Sequence, residues 1–235
     1  MQPDPFLTLS EPFRATKDII SLLAKKHTIN AKTGYGSILL IPGYCGDDTY
    51  NIPMRKFLSD LGYTVSGWEQ NRNRGHKSVN MEKLQDLTLE LSLYAQEPIT
   101  IIGHSLGGVY ARYLAHIMPN QVSKVITLGS PLMVDFNDEP DELPSPIKEY
   151  YLLRNPMDET AEEMLRIAQI PPLCDTVAIY TKEDGIVRWD LTLQPEGEHN
   201  VRNIEVEGSH SALTLSATVW AIVAEELAQR REPAE

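Results

Sequence analysis

The chain has 235 residues and a formal net charge of −12, from 21 Lys+Arg against 33 Asp+Glu. That balance leaves nothing to neutralise a run of phosphates, which excludes a general nucleic-acid binder, and it disfavours docking on an anionic membrane surface. Hydrophobic residues at 42% and charged residues at 23% are ordinary for a globular protein long enough to bury one large core, and the 2 cysteines suit neither a disulfide scaffold nor a zinc site.

In chain order, the first residues (MQPDPFLTLSEPFR) carry Asp4 and Glu11 and have no basic segment followed by an apolar run. They do not read as a signal peptide, so a cytoplasmic location is the default expectation. A helix is expected over 16–27 and a first strand at 36–43, followed by the turn Ile41-Pro42-Gly43-Tyr44-Cys45-Gly46-Asp47. Next come a helix at 52–61, a strand at 63–68 and a loop containing Arg72, Arg74, His76 and Lys77. A helix at 81–95, a strand at 98–105, a helix at 106–117 and a strand at 124–130 follow.

The segment 131–172 is too long for one crossover helix. It is rich in proline and carries Asp135, Asp138, Glu139, Asp141 and Glu142 close together, with a helical piece over 158–169. Phe136, Tyr150, Tyr151, Leu152 and Leu153 give it enough apolar surface to order, so it reads as a cap or lid. Strands at 176–181 and 201–208 and a helix over 211–230 complete the chain. The uncharged stretch 211–224 falls short of the ~20 residues needed to cross a bilayer. Most strand runs are continuously apolar rather than alternating, the mark of parallel strands covered on both faces. Strands alternating with helices then predict a single α/β domain over 1–235, with the cap as an insertion.

The sharpest chemical signal is Gly103-His104-Ser105-Leu106-Gly107, a G-x-S-x-G between a strand and a helix. A sharp turn there exposes the serine hydroxyl and aims a helix N-terminus at the reaction centre. Serine needs a base and the base needs an acid to orient it. Residues that follow parallel strands gather at one sheet edge, and Ser105, Asp184 and His210 each follow a strand. Asp175 precedes its strand and belongs at the opposite edge. Glu183 is the second choice for the acid and Asp190 a fallback. His104 is read as packing or loop support, and His27, His76, His116 and His199 lack metal-ligand spacing. Backbone N–H groups of Leu106 and of Tyr44, with Cys45 second, are the candidate oxyanion donors. No second base is evident for Cys45 as a nucleophile, and Cys45 and Cys174 belong at opposite sheet edges, beyond disulfide reach. Arg72 and Arg74 are expected to pair with cap carboxylates; the alternative is that this loop meets an anionic part of a substrate.

Gly103-His104-Ser105-Leu106-Gly107-Gly108, the Pro42-Gly43 turn, Asp184-Gly185-Ile186-Val187 and Ser209-His210 together resemble the α/β-hydrolase superfamily, its lipase/esterase branch above all, over about 37–227. The resemblance implies a minimal six-stranded, mostly parallel sheet in the order 2-1-3-4-5-6, with helices on both faces. It implies an esterase or lipase working through an acyl-enzyme on a small-molecule or lipid ester, with no metal or organic cofactor. Lipases often carry His-Gly where this chain has Pro42-Gly43, which keeps the backbone donors and does not assign the subgroup. A thioesterase or an acyltransferase would use the same three residues. An amidase or peptidase has no dedicated feature here, and a non-catalytic binding module would be expected to have lost one of the three.

Overall fold

Ser37-Ile38-Leu39-Leu40-Ile41 has no charged position, and strand β1 (Ser37–Ile41) is buried along its whole length. The computed structural model describes residues 3–133, 153–195, 197 and 200–229. Within them β1 pairs in parallel with β2 (Thr64–Ser66) on one side and β3 (Ile99–His104) on the other. The sheet continues through β4 (Val122–Leu128), β5 (Asp175–Tyr180) and β6 (Val201–Glu205), every neighbouring pair parallel. The order is β2-β1-β3-β4-β5-β6, as the family resemblance implied.

Alternate strand residues feed two cores. Ile38, Leu40, Ile102, Ile126, Val177 and Ile179 face one side, where Met54 and Leu58 of α2 (Asp48–Asp60) and Val219, Trp220 and Val223 of α6 (Ala217–Ala228) cover them. Leu39, Ile41, Ile101 and Val125 face the other, against Leu84, Leu87 and Leu91 of α3 (Met81–Ala95) and Tyr110 and Leu114 of α4 (Leu106–Ile117). Each such side chain taken out of water contributes about 1.5–3 kcal/mol, so this two-sided burial is the main source of the sheet's stability.

Three helix expectations need correction. The helix expected at 16–27 is α1 (Pro5–Lys25), which begins eleven residues earlier and runs through Pro12. Asp4 caps it by accepting from Phe6 N–H at 2.8 Å, and Pro5 sits in the first turn, where its missing N–H costs nothing. α2 starts at Asp48, capped by Asp47, rather than at 52. The helix expected over 211–230 is two pieces: a 3₁₀ turn (His210–Leu215), then α6, capped by Ser216. Trp220 Nε1 donates to Thr214 O at 2.8 Å and ties the turn to the helix.

Of the segment 131–172, residues 134–152 lie outside the described residues, and with them the acidic cluster at 135–142 and Phe136, Tyr150, Tyr151 and Leu152. Its helical piece is α5 (Glu159–Gln169), capped by Asp158, which lays Ala161, Met164 and Ala168 inward. Arg112 of α4 is fully buried beneath it, donating to Gln169 O at 3.1 Å and to Gln194 Oε1 at 2.5 Å.

Candidate active site

Ser105 stands between β3 and α4 with φ 51°, a left-handed conformation that a non-glycine residue rarely adopts. Its N–H donates to Leu128 O at 2.8 Å, which fixes the turn to the end of β4. The turn also needs Gly107: a Cβ there would come within 2.4 Å of Ile41 O and 2.7 Å of Pro42 O. That contact lets the start of α4 press against the turn after β1. Leu106 is the first residue of α4, so its N–H has no intrahelical acceptor.

Asp184 and His210, each just past a strand, meet at the same sheet edge. His210 Nδ1 lies 2.6 Å from Asp184 Oδ2, and both residues are buried. Asp184 Oδ1 accepts from Ile186 N–H at 2.8 Å and Val187 N–H at 2.7 Å, so the carboxylate is oriented by its own loop. Gly129, at φ 57°, passes directly beneath: a Cβ there would lie 3.1 Å from His210 Nδ1 and 3.3 Å from Asp184 Oδ2. Burial pulls the His210 pKa down, but the charge and hydrogen bond of Asp184, with a further contribution from the Glu11 charge, outweigh it and hold the imidazole above its ordinary value.

Ser105 and His210 line one cavity of about 600 Å³ with Gly43, Tyr44, Cys45, Gly46, Tyr50, His104, Ile186 and Ser211. Of the candidate oxyanion residues, Tyr44 lines the same cavity and Leu106 follows the serine at the start of α4. Cys45 N–H is used elsewhere, donating to Asn73 O at 2.6 Å, which favours Tyr44 over Cys45 as the donor from this turn. His104 is buried beneath His210, its ring centroid 5.0 Å from that of His210 and 5.8 Å from that of Tyr50, and its Nε2 lies 3.0 Å from His210 O. Burial first, and the neighbouring His210 second, lower its pKa to about 3, so it stays neutral.

The other candidates go elsewhere. Glu183 accepts from Gly208 N–H at 3.1 Å and Asp190 pairs with Arg188. Asp175 is the first residue of β5, where it faces Lys124 at 3.8 Å. Cys45 and Cys174 are both free thiols. His116 Nε2 lies 2.7 Å from Ile170 O, and His199 lies outside the described residues.

Among the described residues Arg72 pairs with Asp47, at 3.8 Å, in the turn after β1, while the acidic cluster expected to meet it lies outside the described residues. No cap pairing is seen for Arg74 among the described residues. The loop does reach α5, through Lys77 and His76, which face the capping Asp158. Its main attachment is a residue the sequence did not single out. Asn73 is fully buried, with Nδ2 donating to Pro42 O at 2.9 Å and its N–H to Gly46 O at 2.8 Å. Asp48 adds a second tie, accepting from Trp68 N–H at 2.9 Å and Glu69 N–H at 3.1 Å.

Glu11 of α1 is likewise invisible as a site residue in the sequence. It is buried and accepts from Ser211 N–H at 2.7 Å and Gly185 N–H at 3.3 Å, bridging the loops that carry His210 and Asp184, while Arg14 pairs with it at 2.7 Å. Asp18, two turns on, accepts from Ser209 N–H at 2.9 Å and Ser209 Oγ at 2.7 Å. With the helix expected only from residue 16, nothing in the sequence marked Glu11 and Asp18 as sharing one inward helix face.

Comparison with known proteins agrees with this fold. The family model described as the alpha/beta hydrolase fold matches residues 36–173. A monoacylglycerol lipase of Paleococcus ferrophilus superposes with a TM-score of 0.59 at 13% identity, over 84% of this chain and 96% of that one. A pyrethroid hydrolase gives 0.57 at 18% identity, over 83% and 98%. A thioesterase domain from the curacin biosynthetic pathway gives 0.51 at 13%, over 85% and 93%. At these identities the likeness is one of fold.

Proposed function

The chain belongs to the alpha/beta hydrolase fold family, and from that premise we propose that it is a serine hydrolase that cleaves carboxylic esters through an acyl-enzyme. The observation that carries this reading is the 2.6 Å contact between His210 and Asp184 beside a serine in a strained turn, with Ser105 and His210 facing one cavity.

In the proposed mechanism Ser105 Oγ attacks the acyl carbonyl while His210 takes its proton through Nε2. Asp184 holds the imidazole by its Nδ1–H and stabilises the imidazolium. The Tyr44 and Leu106 N–H groups receive the oxyanion, and the N-terminus of α4 favours its charge. His210 then protonates the leaving alcohol. Water, deprotonated by the same imidazole, attacks the acyl-enzyme and releases the acid. No step calls for a metal or organic cofactor. In this reading the segment 131–172 is a cap over the acyl site.

Hydrolysis of p-nitrophenyl esters from acetyl to palmitoyl tests the proposal, beside a Ser105→Ala control. Turnover that falls by ~10⁴-fold or more in the control is the expected result, and the chain-length optimum reports the acyl pocket. Turnover that survives in the control overturns the assignment of Ser105. Thioesters would react by the same steps, and a thioester substrate in the same assay measures that preference.

A further inference from the structure

Helix α1 is amphipathic in the reverse sense. Its charged residues Glu11, Arg14 and Asp18 point into the protein, where they grip the loops around Gly185, Ser209 and Ser211. Its large apolar residues point out: Phe6 is 71% exposed, Leu9 84%, Phe13 77%, Ile20 63% and Leu23 59%. They recur at spacings of 3, 4, 7 and 3 residues, which puts them on one side of a helix about 31 Å long. A surface helix ordinarily does the opposite. The inward hydrogen bonds prevent α1 from rolling over to bury this stripe, because each carboxylate would lose buried backbone donors.

Two further observations identify what covers the stripe. In a chain of net charge −12, the exposed charge of α1 is mainly basic: Lys17 is exposed between Phe13 and Ile20 of the stripe, Lys25 and Lys26 are exposed at its C-terminal end, both acids of the helix body are turned inward, and only the capping Asp4 is exposed at the other end. A parallel second copy of α1 would bring lysines against lysines and an antiparallel one would offer a single Asp4 to Lys25 and Lys26, whereas anionic headgroups meet all three lysines. The stripe also leads to the catalytic edge. Leu7 O packs against Gly185, within 2.4 Å of where a Cβ would stand, and the next residue, Ile186, lines the cavity that holds Ser105.

We propose that α1 is an interfacial docking helix, its apolar face seated in a phospholipid surface and its lysines at anionic headgroups, with the mouth of the Ser105 cavity held beside that surface. The net charge of −12 that disfavours docking of the chain as a whole on an anionic surface is carried by the remainder of the molecule, whose repulsion from the same headgroups leaves α1 as the side that faces them. The inference rests on the ester-hydrolase reading only in taking a lipid ester as what enters the cavity; the docking itself needs no catalysis.

The test is cosedimentation of the full chain with vesicles of four parts phosphatidylcholine to one part phosphatidylglycerol. Leu9→Gln/Phe13→Gln is the first variant and Phe6→Gln the second, with p-nitrophenyl acetate turnover as the check that each is folded. The wild type is expected to sediment with the vesicles. The double variant should lose about tenfold or more in partitioning and Phe6→Gln a smaller amount, at unchanged turnover of the monomeric ester. Failure of the wild type to sediment, or equal sedimentation of the variants, overturns the proposal. So does light scattering that finds a dimer abolished by Leu9→Gln/Phe13→Gln, since a second copy would then cover the stripe. Vesicle binding without any ester turnover would overturn the catalytic reading and leave the docking helix standing.

Discussion

Two carboxylates serve His210, and they do so differently. Asp184 touches the imidazole, whereas Glu11 acts from a distance, by its charge and by fixing Ser211 N–H and Gly185 N–H. Burial works against a protonated imidazole, and these negative charges more than offset it. His210 must be neutral to take the proton from Ser105, so kcat/KM is expected to fall as pH drops through a value above 6.5, the ordinary histidine value. Glu11→Gln keeps an acceptor for Ser211 N–H but removes the charge. Its acidic limb should move to lower pH, with a less than about tenfold loss of kcat/KM on the plateau. A pH–rate profile checks this. A limb that stays in place while the plateau drops would reduce Glu11 to a structural tie.

At the scale of elements, the turn after β1 is held by the loop that follows β2 as well as by its own bond from Gly46 N–H to Gly43 O. Asn73 supplies a donor to Pro42 O, a donor to Gly46 O and an acceptor for Cys45 N–H. Asn73→Ala removes the bond to Pro42 O and leaves a buried carbonyl without that donor. It is expected to cost about 1–3 kcal/mol of stability and to lower kcat more than it raises KM, because the oxyanion donor of Tyr44 loses its support. Urea unfolding and steady-state kinetics on one p-nitrophenyl ester measure both; a change in KM alone would contradict the link. These ties also mark the limit of what could be read from the sequence. The strand order was what the resemblance to the α/β-hydrolase superfamily implied, and the gathering of Ser105, Asp184 and His210 was legible, since residues that follow parallel strands share an edge. Asn73 and Glu11 were not, because their partners lie 31 and 200 residues away and neither belongs to a local pattern. The first half of α1 was missed for a different reason: Pro12 reads as a breaker, and the apolar face marks no buried side. The break at Ser216 was obscured because an apolar run does not distinguish a 3₁₀ turn from a helix.

In the whole molecule the two neighbouring histidines give stability opposite dependences on pH. His104 is held neutral, with a pKa of about 3. The unfolded chain takes up a proton near pH 6.5 that the folded site refuses, so this contribution is complete above pH 6.5 and is lost as pH falls toward 3, by up to about 1.4 kcal/mol per unit. His210, with its pKa raised, contributes below pH 6.5 and loses that contribution as pH rises through its folded value. His104→Gln should therefore flatten the acid side of the stability curve relative to wild type, as measured by urea unfolding between pH 4 and 7; parallel curves would show that the His104 site accepts a proton.

The proposed function turns on Ser105 acting as a nucleophile activated by His210. The most direct measurement is intact and peptide mass spectrometry after treatment with a fluorophosphonate, which reacts with a serine only when a base activates it. One adduct per chain on the peptide containing Ser105, abolished in Ser105→Ala and strongly slowed in His210→Ala, is the predicted result. An adduct on another residue, or none at all on a folded chain, would contradict the account.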